Sequence, residues 1–240
     1  MHAIGIASQF YLFLLLVFLP FMAIRSARIF NAPAQTDGAA EKRPVPSRIE
    51  IYVNTSFMLI LLFVLTWFMA RIFPFGIFAS PNIGAREVLA GLAALALMIA
   101  LIPVSRLIRS AEELRSAPVN RMMPQGSRET ALYSVMSVVA GISEEAAYRG
   151  VLAQILIYTL DNAWLAMLIS ATAFAIVHGI QGWKSAIIVF VIACLMHALV
   201  WYTGTLVIAM FVHAIYDLAV PTLRRKISLG LPKGLERSAG

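Results

Sequence analysis

The stretch Gly141-Ile-Ser-Glu-Glu-Ala-Ala-Tyr-Arg-Gly150 sets two adjacent carboxylates and a guanidinium inside a run that is otherwise mostly apolar, from Thr130 to Leu160. Hydrocarbon makes each of those charges costly, so each needs a partner or a function. On a helix Glu145 and Arg149 stand at i and i+4 and share a face, whereas Glu144 is turned about 100° away. Glu144 is therefore the candidate for chemistry and the other two are a candidate pair. The competing reading is a polar break between two shorter helices, with all three charges solvated in a loop.

The rest of the chain supports a membrane setting for that run. Of its 240 residues 60% are hydrophobic and 13% charged, and the mean hydropathy of +0.83 excludes an ordinary globular protein. A net charge of +7 would suggest nucleic acid in a soluble protein. Here the basic residues cluster between apolar runs, so the charge reads as membrane topology, with no nucleic-acid partner. The single cysteine, Cys194, lies within an apolar run and excludes both a disulfide and a cysteine metal site.

Roughly 20 apolar residues cross a bilayer. On that measure the fold class is all-α, a polytopic transmembrane helical bundle of about seven membrane helices, possibly eight. The expected spans are Ile4 to Ile24, Ile51 to Phe73, Val88 to Val104, Thr130 to Leu160, Ala163 to Ile180, Trp183 to Leu199 and Thr205 to Val220. The fourth is too long for one straight crossing, which predicts a kink or break near Gly141 or Gly150. Its small residues, Ala140, Gly141, Ala146, Ala147 and Gly150, allow close helix approach. Asn31 to Ser47 reads as a mobile cytoplasmic loop, and Arg106 to Arg128 as a basic loop or an amphipathic surface helix.

Lys and Arg number five from Arg25 to Arg48, two from Arg71 to Arg86, five from Arg106 to Arg128 and five after Pro221. Seven crossings place all three rich segments on one side, giving an external N-terminus and a cytoplasmic C-terminus. Three parts are expected: a transmembrane scaffold over 1–128, a transmembrane core over 129–222, which the resemblance stated below implies is catalytic, and a basic cytoplasmic tail over 223–240.

Three of the four histidines fall in the last three spans. His213 and Asp217 are i and i+4, so the carboxylate can fix the imidazole's tautomer and direction; a buried pair locking two helices is the alternative. His178 ends an apolar helix four residues after Phe174. His197 has no acidic partner at helical spacing and reads as structural. Glu144, His178 and His213 with Asp217 form a set that can activate water and stabilise an oxyanion. The donors Glu144, His178 and His213 also match a His2Glu zinc set with one open position.

Glu144-Glu-x-x-x-Arg149, Phe174-x-x-x-His178 and His213-x-x-x-Asp217, in this order on separate apolar helices, resemble the signature of the CAAX-prenyl-protease and bacteriocin-processing (CPBP, or Abi) family of intramembrane endopeptidases. The resemblance covers about the last 110 residues. It implies a peptide hydrolase of glutamic type without a cofactor, in which Glu144 and His178 activate water and His213 and Asp217 line the site. Glu145 and Arg149 would form a supporting pair. Many relatives have asparagine where Asp217 stands. It further implies a membrane-anchored protein or peptide as substrate, the lipid bilayer as surroundings and a bacterial-type inner (plasma) membrane as location. A zinc-dependent version and a non-catalytic scaffold or immunity protein are the alternatives. A proton-coupled transporter is disfavoured, because no internal repeat is visible.

Overall fold

The computed structural model describes residues 5–30, 46–73, 83–104, 107–108, 120 and 122–229, with the side chains of 29, 30 and 224–229 excepted. Residues 31–45 of the expected mobile loop and most of the basic segment after Pro103 lie outside the described residues. Among those described, every regular element is helical. The first helix comprises α1 (Ile6–Phe13), a π-helical turn (Leu14–Phe18) and α2 (Leu19–Phe30). Next come α3 (Arg48–Ile72), α4 (Ala85–Val104) and α5 (Ser127–Glu144). A second π-helical segment (Glu145–Leu152) continues α5 directly into α6 (Ala153–Leu160). The chain then forms α7 (Ala163–Val177), a 3₁₀ turn (His178–Gln181), α8 (Trp183–Thr203) and α9 (Leu206–Leu229).

Among the described residues, six helices are long and apolar enough to cross a membrane. The continuous stretch from Ser127 to Leu160 is the seventh member of the bundle, its apolar average lowered by the charges at its centre. Of the expected kink or break near Gly141 or Gly150, no break occurs: α5 runs through Gly141, and Gly150 lies within the second π-helical segment. The helix instead widens to i→i+5 bonding from Glu145 and continues, which rejects the reading of these charges as a solvated loop. Helix α9 likewise runs through Pro221 to Leu229, beyond the expected end of its span at Val220.

Local chemistry explains the boundaries. Ser47 and Glu50 form a reciprocal capping box at the start of α3, with Glu50 N–H donating to Ser47 Oγ at 3.2 Å and Ser47 N–H to Glu50 Oε2 at 2.7 Å. Asn162 Oδ1 accepts from Leu165 N–H at 3.0 Å and caps α7. The chain reverses between α8 and α9 at Gly204, whose φ of 68° suits a residue without Cβ.

Helix α5 packs between α3 and α9, and α7 packs on α8. The approach of α5 to α9 is close enough that a Cβ on Gly141 would stand 2.9 Å from both Met210 O and Ala214 N, fixing the register between the two helices. One core cluster joins Tyr11, Leu15, Tyr148, Leu152 and Phe174; a second joins Met98, Met196 and Val212. Large apolar side chains such as Phe57, Leu92 and Phe211 point outward, as an acyl-chain environment requires. Trp164 and Trp201 stack at 6.0 Å on the exposed surface, in the manner of an interfacial aromatic belt.

Candidate active site

The site is built on the second π-helical segment. All eight of its residues are buried, including Glu145 at 0% and Arg149 at 3% exposure. Arg149 Nη1 meets Glu145 Oε1 at 3.2 Å, so the pair expected from the i,i+4 spacing is formed. Two neighbouring helices grip the wide turn by its carbonyls. Ser170 Oγ donates to Tyr148 O at 2.9 Å, and Tyr148 O also accepts the i+5 bond from Ala153 N–H. Tyr11 Oη donates to Ala147 O at 3.5 Å and shares a 2.8 Å bond with Thr66. The wider turn is thus held by contacts from far along the chain.

Glu145 also reaches His213 on α9. The imidazole Nδ1–H donates to Glu145 Oε1 at 2.7 Å. This corrects the expectation that Asp217 aims His213: Asp217 Oδ2 stands 3.6 Å from Nε2, too far for a hydrogen bond. Glu144 Oε2 lies at the same 3.6 Å from Nε2. The nitrogen not held by Glu145 therefore faces two carboxylates.

His178 is fixed from within its own helix, its Nδ1–H donating to Phe174 O at 2.9 Å. A neutral ring held in this way has its lone pair on Nε2. Phe174 is a residue whose role sequence reasoning left open. Its ring lies under the Arg149 guanidinium at 4.3 Å, against His178 at 4.4 Å and edge-on to Tyr148 at 5.0 Å. One phenyl group thereby ties the buried cation to the histidine. The helical spacing Phe-x-x-x-His was the only signal of this.

Glu144, Arg149, His178, His213 and Asp217 all line one cavity of about 420 Å³. Its remaining wall is mostly apolar, with Met98, Met136 and Met196 among the lining residues, and also carries Thr55, Gln181 and Ser185. Glu145 stands behind that wall. His197, read as structural, is buried on α8, and its Nε2 has no hydrogen-bond partner among the described residues. Among those residues no three His, Cys, Asp or Glu form a group that could hold a metal ion. The three zinc candidates thus share a cavity without forming a ligand cluster.

Residues 126–219 match the family model of the Rce1-like type II CAAX prenyl endopeptidases. The match contains all three motifs and bears out the resemblance they carry. No curated protein and no solved structure matches the chain.

Proposed function

We propose that the chain, an integral membrane protein whose residues 126–219 are of the Rce1-like type II CAAX prenyl endopeptidase family, hydrolyses a peptide bond in a membrane-associated protein or peptide. The observation that carries this reading is the meeting of Glu144, His178, His213 and Asp217, from three helices, on one cavity inside the bundle. Glu144 takes a proton from water as its oxygen attacks the amide carbon, and returns it to the nitrogen as the C–N bond breaks. His178 orients the same water through Nε2. His213, doubly protonated, keeps Nδ1–H on Glu145 and presents Nε2–H to the developing oxyanion. Asp217 lines the same end of the cavity, while Glu145, paired with Arg149, holds His213 from behind the wall.

This mechanism uses no cofactor. It predicts that chelators leave cleavage unchanged; activity lost on chelation and restored by zinc would replace it with the metal-dependent version. The substrate is found by comparing membrane-protein termini in cells carrying the wild-type chain or Glu144→Ala. A cleaved terminus that disappears in the variant is expected. Identical termini in both would favour the non-catalytic scaffold.

The placement of basic residues supports a cytoplasmic C-terminus, and the family resemblance supports a bacterial-type inner (plasma) membrane. Reporter fusions after Gly240 and within residues 31–45 are expected to be cytoplasmic. An external signal at the C-terminus would invert the proposed topology.

A further inference from the structure

Helices α4 and α8 meet along a groove of about 600 Å³ that shares no lining residue with the catalytic cavity. From α4 the lining residues recur at helical spacing: Arg86, Leu89, Ala90, Ala93, Ala94 and Leu97. Helix α8 contributes Leu195, Leu199 and Tyr202. Ala94 and Leu199 are buried and form the floor, while Leu89, Leu97 and Tyr202 are exposed and form the rims. Charge is confined to one end. Arg86 Nη2 donates to Tyr202 O at 2.9 Å, and its guanidinium lies over the Tyr202 ring at 4.4 Å. That bond uses one of the five N–H groups of a side chain still 62% exposed, and Glu87 Oε1, 3.9 Å from Nε, is too far to take another. Trp201, next to Tyr202, stacks on Trp164 in the aromatic belt, which sets this end of the groove at headgroup depth.

The dimensions and the charge select the occupant. Leu97 stands eleven residues beyond Arg86, about 16 Å along a helix axis, or one leaflet of a hydrocarbon core about 30 Å thick. A cation at headgroup depth therefore opens onto an apolar channel one leaflet long. A transmembrane helix of a second copy would suit the alanines, but its backbone acceptors are spent within the helix and offer Arg86 nothing. A phosphate supplies both the counter-charge and the acceptors. We propose that this groove binds one phospholipid, with an acyl chain along the channel and the phosphate on Arg86. Elsewhere on α4, Met98 and Ile102 line the catalytic cavity, so the bound lipid braces a helix that walls the site. The binding itself needs no part of the peptidase reading.

The test is native mass spectrometry of the full chain in detergent with phosphatidylglycerol as the probe, alongside thermal unfolding. One phosphatidylglycerol should stay bound to the wild type and raise its Tm. Diacylglycerol, which lacks the phosphate, and inorganic phosphate, which lacks the chain, should each bind more weakly by about tenfold or more. Arg86→Gln should lower the affinity about tenfold, the equivalent of one charge-assisted hydrogen bond. Ala93→Phe, which fills the channel from an exposed position, should abolish retention. Arg71→Gln removes a different cation, stacked on Trp67 at 4.9 Å, and should leave binding unchanged. Equal losses in Arg71→Gln and Arg86→Gln would assign the lipid to general surface charge and overturn the proposal. Unchanged binding in Ala93→Phe, or diacylglycerol held as tightly as phosphatidylglycerol, would overturn it too. A wild-type dimer that Ala93→Phe dissociates would give the groove to a second copy instead.

Discussion

Among the described residues, two stretches leave α-helical winding for the wider i→i+5 pattern, Leu14–Phe18 in the first helix and Glu145–Leu152 in the long central one. The first is wholly apolar; only Leu15 is buried, while Val17 and Phe18 face outward. The second is buried at every residue, carries a carboxylate and a guanidinium, and is gripped at consecutive carbonyls by Tyr11 and Ser170. A wide turn is therefore not a site by itself. It becomes one where neighbouring helices lock it and where it brings opposite charges out of contact with lipid. The two regions also touch, since Tyr11 lies one turn before the first π-helical stretch and its hydroxyl reaches the second.

The largest effect that would break this contrast is expected at Glu145. Replacing it by Gln leaves Arg149 buried without its counter-charge, which typically costs about 3 to 5 kcal/mol. Glu145→Gln should therefore lower unfolding stability in detergent as well as activity, while Glu144→Gln leaves stability near wild type. Normal stability in the first and collapse in the second would exchange the roles assigned to the two carboxylates.

A smaller effect is expected at the lock. Ser170→Ala removes one hydrogen bond to Tyr148 O, a loss of about 1 kcal/mol, and should speed hydrogen exchange at the Ala153 amide before it affects global unfolding. Val17→Ala in the first wide turn should alter neither exchange around Ala153 nor cleavage. Equal responses at the two positions would show that the lock does not distinguish the regions.

Much of the site was legible because polar residues in apolar runs are costly enough to be noticed. Glu144, Arg149, His178, His213 and Asp217 announced themselves in this way, and they share one cavity. The Glu145–Arg149 pair was legible because both partners lie one turn apart on the same helix. The partner of His213 was not. Sequence spacing offered Asp217, four residues away, whereas the bond goes to Glu145 on another helix and depends on the close α5–α9 approach at Gly141. The π-helical winding was hidden for a similar reason. No proline or glycine run marks it, and the groups that hold it, Ser170 and Tyr11, are distant in sequence. His197, read as structural, is buried on α8 and is not among the residues that line the cavity.

The most direct measurement is a double-mutant cycle on cleavage by the reconstituted chain, with Glu144→Ala, His178→Ala and the pair combined. A base and its orienting partner acting on one water each contribute about 100-fold or more, and groups that act as a unit lose their effect together. Each single variant is expected to abolish turnover, with unchanged stability, and the double variant to be little worse than either. Substantial turnover by Glu144→Ala would contradict this expectation.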